Sequence, residues 1–196
     1  MADTNPIRIP GNWRQGFALD YHTLHSQFVG HDEFGHPIFD TERSEIGELL
    51  YRLKYKADRS AADEIVEAAA GFVRRWKIKP DLILPVPPSK RRNFQPVLLL
   101  AHGLAAKLGV PLCLDCVTKV KGTPEVKNIY EYDKRIAALE NAFNVKKSKV
   151  QGQTILLFDD LFRSGATMDA LTKALNQQGE VANVYALAVT KTRSAL

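Results

Sequence analysis

Three short runs constrain the fold more than anything else in this chain. Residues 82–86, 154–158 and 184–189 are apolar almost from end to end. A strand with one wet face alternates apolar and polar side chains. A strand buried on both faces does not, and that pattern belongs to parallel sheets sandwiched between helices. Helical periodicity fills the intervals. Val97, Leu98, Ala101, Leu104, Ala105 and Leu108 make one apolar face, ended by Gly109. Met168, Leu171 and Leu175 make another, ended by Gly179. Upstream, Ile46, Leu49, Leu50 and Leu53 recur at helical spacing. A second helix, capped by Ser60 with Asp63 near its start, turns Ile65, Ala69, Phe72, Val73 and Trp76 inward and stops before Pro80. Residues 112–120 read as one more strand. Strands alternating with helices predict an α/β fold, a doubly wound and mostly parallel sheet.

Residues 1–43 differ from residues 44–196. They hold four of the five histidines, His22, His25, His31 and His36, and many aromatics. Residues 17–24 alternate as a half-buried strand does, and turn residues precede a short strand at Ile38-Phe39. The expectation is a small N-terminal β subdomain, with Asp20, Tyr21 and His22 placed to hood a pocket in the main domain. The histidines read as solvated hairpin residues rather than metal ligands. Hydrophobic residues at 45% and charged residues at 25% of 196 are ordinary globular values and exclude a disordered chain. No apolar run approaches the roughly 18–20 residues of a membrane span. With no signal-peptide pattern at the N-terminus, a cytoplasmic location is the default. Cys113 and Cys116 form a lone Cys-x-x-Cys, read as strand or core thiols.

The chemistry concentrates in residues 156–167, Leu-Leu-Phe-Asp-Asp-Leu-Phe-Arg-Ser-Gly-Ala-Thr. An apolar strand ends in two carboxylates, a loop of small residues follows, and a helix begins. Open α/β sheets bind ligands at the carboxyl ends of their strands. A Ser-Gly-Ala-Thr loop entering a helix exposes backbone N–H groups that suit a phosphate. The carboxylates of Asp159 and Asp160 repel that phosphate and suit hydroxyls. Phosphate at one end and hydroxyls at the other describe a sugar phosphate.

This segment resembles the phosphoribosyl-pyrophosphate (PRPP) motif of type I phosphoribosyltransferases: apolar strand positions, Asp-Asp, an apolar residue, any residue, then Thr-Thr-Gly-Ala-Thr. Arg163 and Ser164 stand where that motif has its two threonines. The resemblance implies that Asp159 and Asp160 bind the ribose 2′ and 3′ hydroxyls as the catalytic pair. It also implies that Arg163, Ser164, Gly165, Ala166 and Thr167 wrap the 5′-phosphate. Residues 53–192 are similar in order to the ComF-like branch. Leu53-Lys54-Tyr55-Lys56 looks like its Leu-Lys-Tyr segment, and Pro85-Val86-Pro87-Pro88 like its Pro-Val-Pro loop. Pro88, Ser89, Lys90 and Arg91 are then the pyrophosphate-binding residues, and Lys119 and Lys121 belong to a mobile loop that closes over the leaving group. The branch's four-cysteine N-terminal zinc module has no counterpart here.

The resemblance implies transfer of the 5-phosphoribosyl group from PRPP to a small-molecule acceptor, with Mg²⁺ accompanying PRPP and pyrophosphate leaving. It also suggests a homodimer; no membrane association is expected, since no apolar run is long enough to span one. The alternative is a nonenzymatic ComF-like module in DNA uptake or nucleotide sensing. A DNA partner, the less favoured one, would use Lys90, Arg91, Arg92, Lys146, Lys147 and Lys149 as phosphate contacts.

Overall fold

The computed structural model describes residues 2–88, 94–120, 139 and 141–193. Along the chain run β1 (Ile7–Arg8), β2 (Gln15–Tyr21), β3 (His25–His31), β4 (Pro37–Glu42), α1 (Glu45–Tyr55) and α2 (Ser60–Trp76). They are followed by β5 (Leu82–Pro85), α3 (Pro96–Leu108), β6 (Val117–Lys119), β7 (Phe143–Val145) and one helical turn, α4 (Lys147–Val150). The last elements are β8 (Thr154–Phe162), α5 (Ala166–Gly179) and β9 (Asn183–Lys191). The apolar runs become adjacent parallel strands in a sheet of order β1-β2-β9-β8-β5, whose edge strand β1 is antiparallel.

The alternation of side chains across the sheet divides the core in two. Leu156 and Phe158 of β8 join Leu50, Leu53, Ile65, Leu100 and Leu104 from α1, α2 and α3. Ile155 and Leu157 point the other way, onto Leu171 and Leu175 of α5 and Phe143 of β7. Full burial of each such side chain contributes roughly 1.5–3 kcal/mol. A run that is apolar at every position is therefore what a strand with helices on one face and a helix plus a small sheet on the other requires.

Helix ends follow local chemistry. The Ser44 hydroxyl accepts from Gly47 N–H at 3.0 Å and donates to the Tyr21 carbonyl, which fastens the start of α1 to the end of β2. The approach there is close: a Cβ on Gly47 would stand 2.3 Å from the His22 carbonyl oxygen. Ser60 is the first residue of α2 rather than its cap, and Asp58 accepts from its N–H at 3.0 Å. Gly109 ends α3 in a left-handed conformation at φ 65°.

Three regions differ from expectation. Residues 17–21 belong to β2, which pairs parallel to β9 inside the main sheet, so the N-terminal stretch contributes only the β3–β4 hairpin as a separate small sheet. Residues 112–120 are not one strand of the parallel sheet. Leu112 makes a single bridge to Ile83, the chain bends, and β6 pairs antiparallel with β7. The bend coincides with a disulfide between Cys113 and Cys116, in place of the strand or core thiols expected there. A covalent loop of three residues' separation does not lie flat in a strand. Finally, β8 runs four residues beyond Phe158, so both carboxylates lie on the strand itself.

Candidate active site

The site forms where β8 outruns its neighbour. Pro85 of β5 pairs with Phe158, and β5 ends there. From Asp159 onward β8 is paired on the β9 side only, through Asp159 to Ala188, Leu161 to Thr190 and Phe162 to Lys191. The unpaired flank opens into a cavity of about 570 Å³. Its described walls include Asp159, Asp160 and residues 161–168, with Val86, Pro87 and Pro88 after β5 and Phe94 and Gln95 before α3. Lys54 and Tyr55 at the end of α1, Lys119 of β6 and Phe143 of β7 also line it. Residues Asp159, Asp160, Arg163, Ser164, Gly165, Ala166, Thr167, Pro88 and Lys119, expected at one site from the sequence, thus border one cavity. Ser89, Lys90, Arg91, Lys121 and most of the expected mobile loop lie outside the described residues.

Lys54 was assigned no role from sequence. Its Nζ stands 2.8 Å from Asp160 Oδ1, and both side chains are less than a fifth exposed. Nothing in helical periodicity marks Lys54, which follows the buried Leu53; only the Leu-Lys-Tyr segment drew attention to it. Asp159 Oδ1 accepts from the Asp160 N–H at 2.8 Å. Burial, and next the Asp160 charge, raise the Asp159 carboxyl well above the usual carboxylate range, against the opposing Lys54 charge.

Beyond the carboxylates the chain turns. Gly165 has φ 80°, and a Cβ there would meet the Phe162 ring at 2.8 Å. Glycine is required by the turn and by the buried Phe162, not only by an incoming anion. Helix α5 then starts at Ala166 with no side-chain cap at Gly165. Its first N–H groups are the kind of donor that an anion satisfies.

His22, counted with the N-terminal stretch, stands at the edge of this charge cluster. It lies 3.3 Å from Thr190 Oγ1. Burial lowers its pKa to about 4, with the charges of Lys54, Arg43 and Arg163 adding to the effect and Asp160 opposing it. The other two expected hood residues have different neighbours. Asp20 accepts from Asn5 N–H at 3.1 Å, and the Tyr21 ring carries Lys191 and Arg193 at 5.6 and 4.9 Å. Every described residue lining the cavity comes from position 54 onward. Of the basic residues named for DNA, the three described ones are engaged: Lys146 and Lys149 reach Asp115 at 2.8 and 2.7 Å, and Lys147 pairs with Glu180, while Lys90, Arg91 and Arg92 lie outside the described residues.

The sheet order, with helices on both faces and a cavity at the carboxyl ends of β5 and β8, is the type I phosphoribosyltransferase fold. The allosteric regulatory enzyme of purine biosynthesis superposes on the chain with a TM-score of 0.50 at 14% identity, over 92% of this chain and 48% of that one. Adenine phosphoribosyltransferase from Saccharomyces cerevisiae does so with a TM-score of 0.49 at 17% identity, over 86% of this chain and 84% of that one. No family model matches. Competence protein F of Haemophilus influenzae is 30% identical over 152 residues, 71% of this chain and 66% of the relative. Competence protein ComFC of Bacillus subtilis is 26% identical over 153 residues, 74% of this chain and 59% of the relative. The chain thus spans about two thirds or less of these relatives' length. It belongs to the ComF-like proteins related to type I phosphoribosyltransferases.

Proposed function

We propose that the chain binds Mg²⁺·PRPP in this cavity and transfers its 5-phosphoribosyl group to a small-molecule acceptor. One observation carries the reading: the open flank of β8 presents two carboxylates, and the uncapped start of α5 follows a few residues later on the same cavity. The 5′-phosphate sits against the first turn of α5, where N–H donors and the Ser164 and Thr167 hydroxyls converge and Arg163 adds charge. Asp159 and Asp160 accept hydrogen bonds from the ribose 2′ and 3′ hydroxyls. The bond from ribose C1 to pyrophosphate breaks with its electron pair leaving on pyrophosphate. The acceptor's lone pair forms the new bond to C1, and the acceptor gives up a proton. The Asp160 carboxylate, on the same cavity, offsets positive charge building on the sugar ring.

Mg²⁺ enters as part of the substrate. Among the described residues no group of three or more His, Cys, Asp or Glu converges. Two carboxylates, one already paired with Lys54, are too few for a resident octahedral site. With PRPP bound, the ion neutralises the leaving pyrophosphate. The proposed setting is the cytoplasm. No described helix is long and apolar enough to cross a membrane.

A second reading, a nonenzymatic module in DNA uptake, draws on the names of the two competence relatives. The engagement of Lys146, Lys147 and Lys149 with carboxylates weakens it. Calorimetric titration of Mg²⁺·PRPP separates the two. Binding that weakens at least about 100-fold in Asp159→Asn/Asp160→Asn supports the transferase reading. A folded wild-type protein that ignores PRPP but binds DNA with steep salt dependence replaces it with the second.

A further inference from the structure

The β3–β4 hairpin is built unlike the rest of the molecule. Its strands pair with each other and with no other strand. A two-stranded ribbon alone in water is marginally stable, yet this one displays its apolar residues. Phe28, Val29, Phe34, Ile38 and Phe39 are 45–75% exposed. Phe28 and Phe39 face each other across the strands with ring centres 5.8 Å apart, and His31 packs edge-on to Phe28 at 5.1 Å. An exposed aromatic cluster of this kind marks an interaction surface.

Charge identifies the partner. Residues 25–42 contain Asp32, Glu33, Asp40 and Glu42 and no lysine or arginine, a formal charge of −4 with histidines neutral. The whole chain carries +5, so the remainder carries +9. An acidic arm rejects nucleic acid and anionic lipid and selects a basic, partly aromatic surface. This chain has one. Tyr55 is 68% exposed and packs against Tyr51 with the rings tilted and their centres 5.2 Å apart, and Lys56 lies 6.0 Å from the Tyr51 ring. Close by, the Arg59 guanidinium lies over the Phe94 ring at 5.6 Å. No carboxylate of the described residues pairs with Lys56 or Arg59.

We propose that the hairpin is an arm that docks on the rim formed by Tyr55, Lys56, Arg59 and Phe94 in a second copy of this chain. Arm and rim on one polypeptide make the surface self-complementary, as a two-fold dimer requires, with two reciprocal arm–rim contacts. Tyr55 and Phe94 also line the cavity, whereas no described hairpin residue lines the cavity of its own chain. The arm therefore covers the mouth of its partner's cavity, a hood supplied in trans. The interface itself does not rest on the transferase reading.

Sedimentation velocity on the full chain, without PRPP, tests it. The wild type sediments as a dimer at about 10 µM, and Phe28→Ser/Phe39→Ser weakens association at least about tenfold. Two charge-reversed variants decide the geometry: Asp40→Lys/Glu42→Lys in the arm and Lys56→Glu/Arg59→Glu in the rim. Each alone sets like charges against each other at both contacts and sediments as a monomer with an unchanged circular dichroism melt. Mixed, each reversed arm meets a reversed rim and each native arm a native rim, and the dimer returns. A wild type that stays monomeric at about 100 µM overturns the proposal. So do reversed variants that dimerise as the wild type does, or a mixture that stays monomeric. PRPP binding by a monomer would leave the transferase reading standing while removing this one.

Discussion

The floor of the cavity and the tip of the β3–β4 hairpin depart from ordinary sorting in opposite directions. At the cavity floor, Asp159 and Asp160 are withdrawn from water beside the fully buried Phe158. On the hairpin, Phe34 and Phe39 stand in water beside acidic neighbours. Neither arrangement helps an isolated chain to fold, because one gives up carboxylate hydration and the other gives up apolar burial. Each makes sense through what comes to it: a sugar phosphate in the first case, a second polypeptide in the second. The scaffold between them is unexceptional, and it is what holds both departures in place.

The sharpest way to break this contrast is to remove a phenylalanine from each region. Phe158→Ala empties a site between β8 and helices α1–α3 and costs about 3–5 kcal/mol in urea unfolding. Phe34→Ala, at 75% exposure, stays within about 0.5 kcal/mol under the same conditions. A Phe34→Ala loss approaching that of Phe158→Ala would mean that the hairpin packs on its own body after all. The next effect belongs to Lys54. Lys54→Ala leaves Asp160 without its cation in a poorly hydrated place and destabilises by about 1–3 kcal/mol, with Lys54→Arg recovering most of it. No change on Lys54→Ala would show that water already screens the pair and that the cavity floor is wetter than the burial of its carboxylates implies.

These regions were not equally legible. Residues 154–158 were readable because burial on both faces leaves no room for polar positions, and that signature is local. The end of α3 was readable because Gly109 alone meets its left-handed turn. The carboxylates and the turn after them were readable because hydroxyl-binding and phosphate-binding residues come in one uninterrupted order. Residues 112–120 misled, since an apolar stretch of that composition fits a parallel strand or an antiparallel pair equally well. The disulfide and the pairing with β7, set far along the chain, decide between them. Residues 17–24 show the alternation of a strand but not its neighbour, since the pairing of β2 with β9 joins opposite ends of the polypeptide. Lys54 stood out only through the Leu-Lys-Tyr resemblance and His22 only as a hood residue, because their partners Asp160 and Thr190 are brought near by folding alone.

Two smaller effects separate the regions by pH. The folded state raises the Asp159 carboxyl above its unfolded value, so between the two it holds a proton that the unfolded chain has released. Stability therefore declines as pH rises through that window. Asp159→Asn lacks the decline, so its melting temperature gains on the wild type with rising pH, by about a few degrees. His22 acts with the opposite sign. Its pKa falls from 6.5 to about 4 on folding, so below 6.5 the unfolded chain takes up a proton that the folded chain refuses. Stability from this group is complete above pH 6.5 and is lost as pH falls toward 4. His22→Gln removes that contribution, which is smaller than the Asp159 effect because His22 keeps part of its contact with water and its charge is screened. In the wild type the two groups oppose each other between about pH 4 and 6.5, so each single variant exposes a slope that the native protein conceals. The hairpin supplies no comparable slope from Asp32, whose carboxyl is lowered mainly by the His36 N–H but remains open to water. A melting profile in which Asp32→Asn changed the pH dependence as much as His22→Gln would place the hairpin against the body of its own chain and remove the contrast.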